Sequence, residues 1–284
     1  MGVSLCWPNR IDAAALTGGD WSEALPRDNL KAAAHWQVAR SNGVQAEGTR
    51  FYADLMKPYA LRAVALVNHN LSASAKWRIT LGTESGGSDL FDSGWQSVWA
   101  MTFSDSALEW GDQAFWEGIT ASEYIGSPFA AVWPFRGYLS ARHVGIQIDD
   151  SSNPDGYIQI GRVFVGGGLD PEQGAVRNSF SEGWEDTSTS ETNDSGVQFF
   201  TLRRRLRVIK FEYPVLRTGG EFENAYEMQR QLGVSGECLV IPDSTSLSEA
   251  QRRSFIGRLR QLSPIEYPIV GRRSVAFEIK EIAA

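Results

Sequence analysis

Leu61-Arg-Ala-Val-Ala-Leu-Val67 is apolar at nearly every position and then turns polar at Asn68-His69-Asn70. A strand that is apolar on both faces has to be covered on both faces. The stretch therefore reads as a central strand of a β-sandwich ending in a polar corner, and other strands are needed on either side. Lys76-Trp-Arg-Ile-Thr-Leu81 supplies one, with Trp77, Ile79 and Leu81 on one side, the alternation of a sheet with one solvated face. Arg50–Leu55 precedes, Met56-Lys57-Pro58 reads as a loop, and alternation returns over 139–149 and in Tyr157–Gly161 and Val163–Val165. Weak helical character is expected over 106–116.

The C-terminal part reads differently. Residues 169–196 form a polar connector anchored by Trp184, with an extended loop over Thr187–Ser195, and a long basic strand is expected over 197–213. Glu221–Leu232 carries Phe222, Ala225, Tyr226 and Gln229 at helical spacing, acidic residues in its first turns and Gly233 as its stop. Strands follow over Glu237–Ile241, Phe255–Leu262, Ile265–Val270 and Ser274–Ile279. A single good helix among strands indicates a mainly β, α+β arrangement. Residues 1–34 hold spaced anchors (Trp7, Trp21, Leu25, Leu30) between turn signals, too few to bury themselves, so this segment needs a partner elsewhere in the fold.

Several chemistries find no support. A formal charge of -7 gives no global attraction to nucleic acid. No run reaches the roughly 18 apolar residues that cross a bilayer, so membrane insertion is not expected. The three histidines, His35, His69 and His143, show no ligand spacing, and His69 with Asn68 and Asn70 reads as a corner bonded to nearby backbone. Cys6 and Cys238 read as buried free thiols. Walker-type and Gly-x-Ser-x-Gly sequences are lacking, and the chain is not read as an enzyme. No cofactor is expected. Asp149, Asp150, Asn153 and Asp155 bring oxygens together in a short span, the chemistry of a Ca2+ loop, but without regular EF-hand spacing; turn capping is the plainer reading.

Two other residue sets call for a role. Ten tryptophans raise the question of sugar stacking, with Trp95, Trp99, Trp110 and Trp116 as candidate glycan contacts and Trp133 beside them. Arg203, Arg204, Arg205 and Arg207, with Arg258 and Arg260, alternate with apolar residues in an acidic chain. Pairing with carboxylates across an oligomer interface fits them best, and lining a lumen through which DNA passes is the alternative.

The run Ala65–Ser72, the Trp77-Arg78 strand, Asp92-Ser-Gly-Trp95, Ile148-Asp-Asp150 with Asn153, Gly156 to Gly161, and Phe255–Leu259 with Ser263 and Ile265–Pro268 resemble bacteriophage minor tail proteins of the tail tip. The resemblance implies a belt-type β-rich domain of the distal tail protein kind, interrupted by a galactose-binding-like jelly roll. Residues 1–34 would pack with a belt domain at 167–284, and 35–166 would form the jelly roll. It further implies a structural baseplate protein in the virion, made in the host cytoplasm. That protein would form a homo-oligomeric, hexameric ring between tail tube and hub, beside tail fibres. The alternative is a carbohydrate-binding module that contacts host surface glycans.

Overall fold

The computed structural model describes residues 2–99, 130–171, 179–217, 220–244, 247–269 and 272–283. The helix expected over 106–116, together with Trp110 and Trp116, lies outside them. The chain is mainly β with one substantial helix. It divides into two compact units, Met1–Leu5 with 169–240 and 255–283, and Cys6–Gly168 with Ile241–Ser254.

In chain order the strands begin with β1 (Ser4–Cys6), β2 (Ala15–Thr17), β3 (Ala39–Arg40), β4 (Phe51–His69), β5 (Lys76–Gly82), β6 (Phe91–Asp92), β7 (Gln96–Ser97), β8 (Ala131–Asp149) and β9 (Gln159–Gly166). A one-turn helix, α1 (Ala46–Thr49), precedes β4. The larger unit is a jelly-roll-like sandwich with strand order β3-β9-β4-β8-β5-β6, to which β2 adds on β4 and β7 on β5. Strands β4 and β8 are each 19 residues long. The pairing of β4 with β8 shifts register between Asp54 and Tyr59 and again between Leu61 and Ala63. Met56-Lys57-Pro58 is thus a bulge inside an unbroken strand, not the loop expected from its proline. The missing proline donor is tolerated because the ladder is already interrupted there.

Beyond the bulge, residues 61–67 are all buried, as the two-sided apolar run requires. Phe51, Ala53, Trp77, Ile79, Leu81, Val144, Ile146 and Ile148 fill the core from one side, and Leu66, Ile160, Val163 and Val165 from the other. Ile11, Ala14, Leu16 and Leu30 belong to the same core, and β2 pairs with β4. The N-terminal segment therefore divides at Leu5/Cys6: only residues 1–5 group with the C-terminal strands, and the jelly-roll unit takes in residues 6–34. Trp21 bridges Ser41 and meets Phe51 edge-on, so this anchor serves the sandwich.

The remaining strands are β10 (Gly168–Leu169), β11 (Ser181–Glu185), β12 (Thr189–Thr192), β13 (Gln198–Thr201), β14 (Leu206–Leu216), β15 (Cys238–Ile241), β16 (Phe255–Leu259), β17 (Glu266–Ile269) and β18 (Arg272–Glu281). The sheet of the smaller unit runs β10-β1-β15-β16-β18-β14-β11. Helix α2 (Glu221–Leu232) has the bounds read from its spacing and stops at Gly233, whose φ of 52° suits glycine. A short helix, α3 (Leu247–Arg253), was not legible in advance; it groups with the jelly-roll unit. The extended loop expected over Thr187–Ser195 instead enters a hairpin, β12 against β13. The long basic strand is broken between Thr201 and Leu206.

Arg207 and Glu281 form a buried bidentate pair, with Nη2 to Oε1 at 2.8 Å and Nε to Oε2 at 3.1 Å. Arg204 shares the same carboxylate at 3.1 Å. Removing one partner of such a pair strands the other charge in a desolvated site. Glu281→Ala is therefore expected to cost about 3–5 kcal/mol in denaturant unfolding, and an Arg207→Met/Glu281→Leu double variant markedly less.

Candidate functional site

The strand alternation that buries Ile158 and Ile160 turns Tyr157 and Gln159 outward. In the neighbouring strand Ala39 is buried and Arg40 faces out, and the register sets Arg40 opposite Gln159. Cross-strand neighbours on one face lie close enough for long side chains to meet. Arg40 Nη2 donates to Gln159 Oε1 at 3.0 Å, and the guanidinium lies 4.1 Å from the centroid of the Tyr157 ring. Asn70 joins the group from the end of β4. Its Nδ2 donates to Asp155 Oδ2 at 2.8 Å and to the Tyr157 carbonyl at 3.1 Å, and its Oδ1 accepts from the Gln159 amide at 2.7 Å.

Trp36 lies on the segment that leads into β3. Asn68, in the left-handed region at φ 55°, donates from Nδ2 to the His35 carbonyl at 2.7 Å. Gly161 lies beneath; a Cβ there would collide with that carbonyl and come within 2.9 Å of the Asn68 amide nitrogen. His35 is buried, while the next residue, Trp36, is 72% exposed. Turn bonds from Gln37 N to the Ala34 carbonyl and from Val38 N to the Trp36 carbonyl fix the segment. Sequence reasoning passed over Trp36. Its one signal was a tryptophan outside any alternating pattern, directly before the first sandwich strand.

At the corner only His69 bonds locally as expected; Asn68 and Asn70 bond segments distant in sequence. His69 Nδ1 accepts from the Leu71 amide at 3.4 Å, and its ring meets Trp99 edge-on at 5.6 Å. Burial pushes the His69 pKa down to about 4, against the opposing pull of Asp150. Trp99, a candidate glycan contact, is partly buried and donates from Nε1 to the Ser72 carbonyl at 2.7 Å. Its role is to anchor the corner. Trp133 likewise packs against the core. Trp95 is 43% exposed, in a turn opened by Gly94 at φ 61°. Beside it Arg78 holds Asp92 through two bonds, of 2.9 and 2.5 Å, which keep that carboxyl at about 2.

In the oxygen-rich loop Asp150 and Asn153 are buried on protein donors, while Asp155 is exposed. The Asp150 carboxylate accepts from Ser72 N, Ser72 Oγ and Asn153 Nδ2. Asp149 accepts from Ser151 Oγ, and Asn153 Oδ1 from the Asp155 amide. Among the described residues no group of three His, Cys, Asp or Glu side chains is arranged to hold a metal.

The arginines find carboxylates on their own chain. Arg204 and Arg207 bind Glu281, Arg205 binds Asp186 at 3.2 Å, and Arg260 bridges Glu278 at 2.6 Å and Glu185 at 3.2 Å. Arg203 and Arg258 are exposed. A neighbouring subunit is not needed to satisfy the paired ones. In the smaller unit a cleft of about 410 Å³ opens between α2, at Phe222, Tyr226 and Arg230, and residues 262–267. Its Arg230 is already held by Glu227 at 2.7 Å.

Two predictions test the corner. His69 is neutral when folded, and its pKa of about 4 lies below the unfolded value of 6.5. Its contribution is full above pH 6.5 and is lost as pH falls from 6.5 toward 4, by up to about 3 kcal/mol. Denaturant unfolding as a function of pH should show this slope, and His69→Phe should flatten it. Gly161→Ala should lift the 34–37 turn off Asn68, lowering stability by about 1–3 kcal/mol and changing the Trp36 fluorescence difference between wild type and Trp36→Phe.

No family model and no curated protein matches the chain. Solved structures similar to it include the lectin domain of lectinolysin complexed with Lewis B antigen. That match is 13% identical and covers 56% of this chain and 95% of that one, at a TM-score of 0.36. A second is the carbohydrate-binding module CBM32-1 from a family 31 glycoside hydrolase of Clostridium perfringens, 12% identical over 57% and 99% of the two chains, at a TM-score of 0.34. A third is the family 89 glycoside hydrolase of Clostridium perfringens, 14% identical over 57% of this chain and 15% of that one, at a TM-score of 0.38. The likeness is one of fold. These matches overturn the tail-tip function, and with it the description as a bacteriophage minor tail, distal tail or baseplate protein. They are sugar-binding modules and glycosidases, and none of them is a tail tube, hub or ring protein.

Proposed function

We propose that the chain binds glycans, through the outward face formed by Trp36, Arg40, Asn70, Asp155, Tyr157 and Gln159. The observation that carries this reading is the 72% exposed indole of Trp36, on the segment that leads into β3 and that Asn68 pins over Gly161 of β9. An exposed aromatic ring offers an apolar platform for the C–H face of a sugar. Amide, guanidinium and carboxylate groups set beside it supply donors and acceptors for hydroxyls. Because Arg40, Gln159 and Asn70 already fix one another, little side-chain freedom is left to lose on binding.

The role is adhesion or targeting rather than turnover. Trp95, at the Arg78–Asp92 pair, is a separate exposed indole and serves as the internal control. Binding of the full chain to a glycan array, followed by calorimetry on the best oligosaccharide, tests the reading. Trp36→Ala should weaken binding by about tenfold or more with an unchanged melting temperature, and Trp95→Ala should leave affinity within about twofold. Binding abolished by Trp95→Ala but untouched by Trp36→Ala would move the site to the other face. No binding to any glycan would end the proposal.

A further inference from the structure

Three arginines of the sandwich are paired with carboxylates; Arg40, like Arg10 on the Tyr59 ring and Arg27 on the Gly18 carbonyl, is not. Arg78 has Asp92, Arg142 has Asp54 at 2.7 Å, and Arg162 has Asp12 at 2.8 Å. Arg40 forms no ion pair among the described residues. The residue is partly buried, its guanidinium stacked on Tyr157 and tethered to Gln159 through Nη2, and its Nε is enclosed without a hydrogen-bond partner. A partly desolvated cation without a counter-charge costs free energy in the unliganded protein. The planar guanidinium is also the group best matched to a carboxylate. The chain as a whole is negative, at -7, so an anionic ligand gains nothing from the global field and has to be drawn in locally.

We infer that the glycan recognised at the Trp36 face is an acidic one, a uronic-acid-type sugar whose carboxylate meets Arg40 while its ring lies on Trp36. This rests on the glycan reading above. The neighbouring groups divide the work. Asp155 and Asn70 remain for hydroxyls, and Asp155 is tied to Asn70 Nδ2, an amide donor that stands between it and the Tyr157 carbonyl. Gln159 holds Arg40 in place as a positioning residue.

The test compares galacturonate, glucuronate and mannuronate oligosaccharides of equal length with their methyl esters, which keep the ring and remove the charge. Wild-type chain should bind at least one acidic form about tenfold more tightly than its ester. Arg40→Gln should erase that gap, Arg40→Lys should keep part of it, and Trp36→Ala should weaken both forms. Circular dichroism and the melting temperature report whether Arg40→Gln is folded; should it not be, Arg40→Lys and the wild-type acid-to-ester ratio still decide the matter. Equal binding of acids and esters by the wild type, or a gap that survives in Arg40→Gln, overturns the acidic-ligand inference and leaves glycan binding standing. Binding to neither form, with binding to neutral glycans, overturns the inference alone. Binding to no saccharide at all removes both.

Discussion

Everything in the larger unit hangs on β4 and β8, which run the length of the sandwich and belong to both of its layers. Each changes its partners at a bulge. Before the bulge β4 pairs with β2 and β8, and after it with β9 and β8. A bulge lets one strand bend enough to turn a sheet's corner without breaking its hydrogen-bonded ladder. The apolar faces then meet across a shared core into which residues from 11 to 165 all project. Had these strands been split into separate pieces, the backbone groups at the breaks would need other partners.

The polar corner at the far end of β4 converts that framework into a surface. Asn68 takes a left-handed conformation that asparagine tolerates better than most residues. In that position its amide reaches the His35 carbonyl and fixes the strand-entry segment. Asn70 closes the same corner against 155–159. The same few hydrogen bonds thus terminate a core strand and fix the backbone next to an exposed indole. The oxygen-rich loop serves the corner as well: Asp150 secures Ser72 and Asn153, and its carboxylate is turned away from solvent.

Charge is arranged by the same economy of neighbours. In the smaller unit, Glu281, Glu278 and Glu185 each meet two cations, so most of a run of arginines that looks excessive in one dimension is neutralised within the unit. In the sandwich Arg78, Arg142 and Arg162 likewise meet carboxylates, whereas Arg40 carries none to the outward face. That contrast gives the outward face its chemical character and ties the proposed ligand to a particular side chain.

Periodicity alone determined much of this. The two-sided burial of 61–67, the one-sided strand at 76–81 and the helix at 221–232 with its glycine stop follow from local side-chain order, because local order is what strand and helix geometry reads. The bulge at 56–58, the short helix at 247–253, the hairpin across 189–201 and the allegiance of residues 6–34 to the sandwich were settled only in three dimensions. Each depends on which distant backbone groups lie alongside, and no nearby residue records that. The site divides in the same way. Arg40 and Gln159 are separated by well over a hundred positions and meet only through the β3–β9 register, and the segment that carries Trp36 is pinned by Asn68 from β4. A sequence states which groups exist; long-range pairing decides which of them share a face.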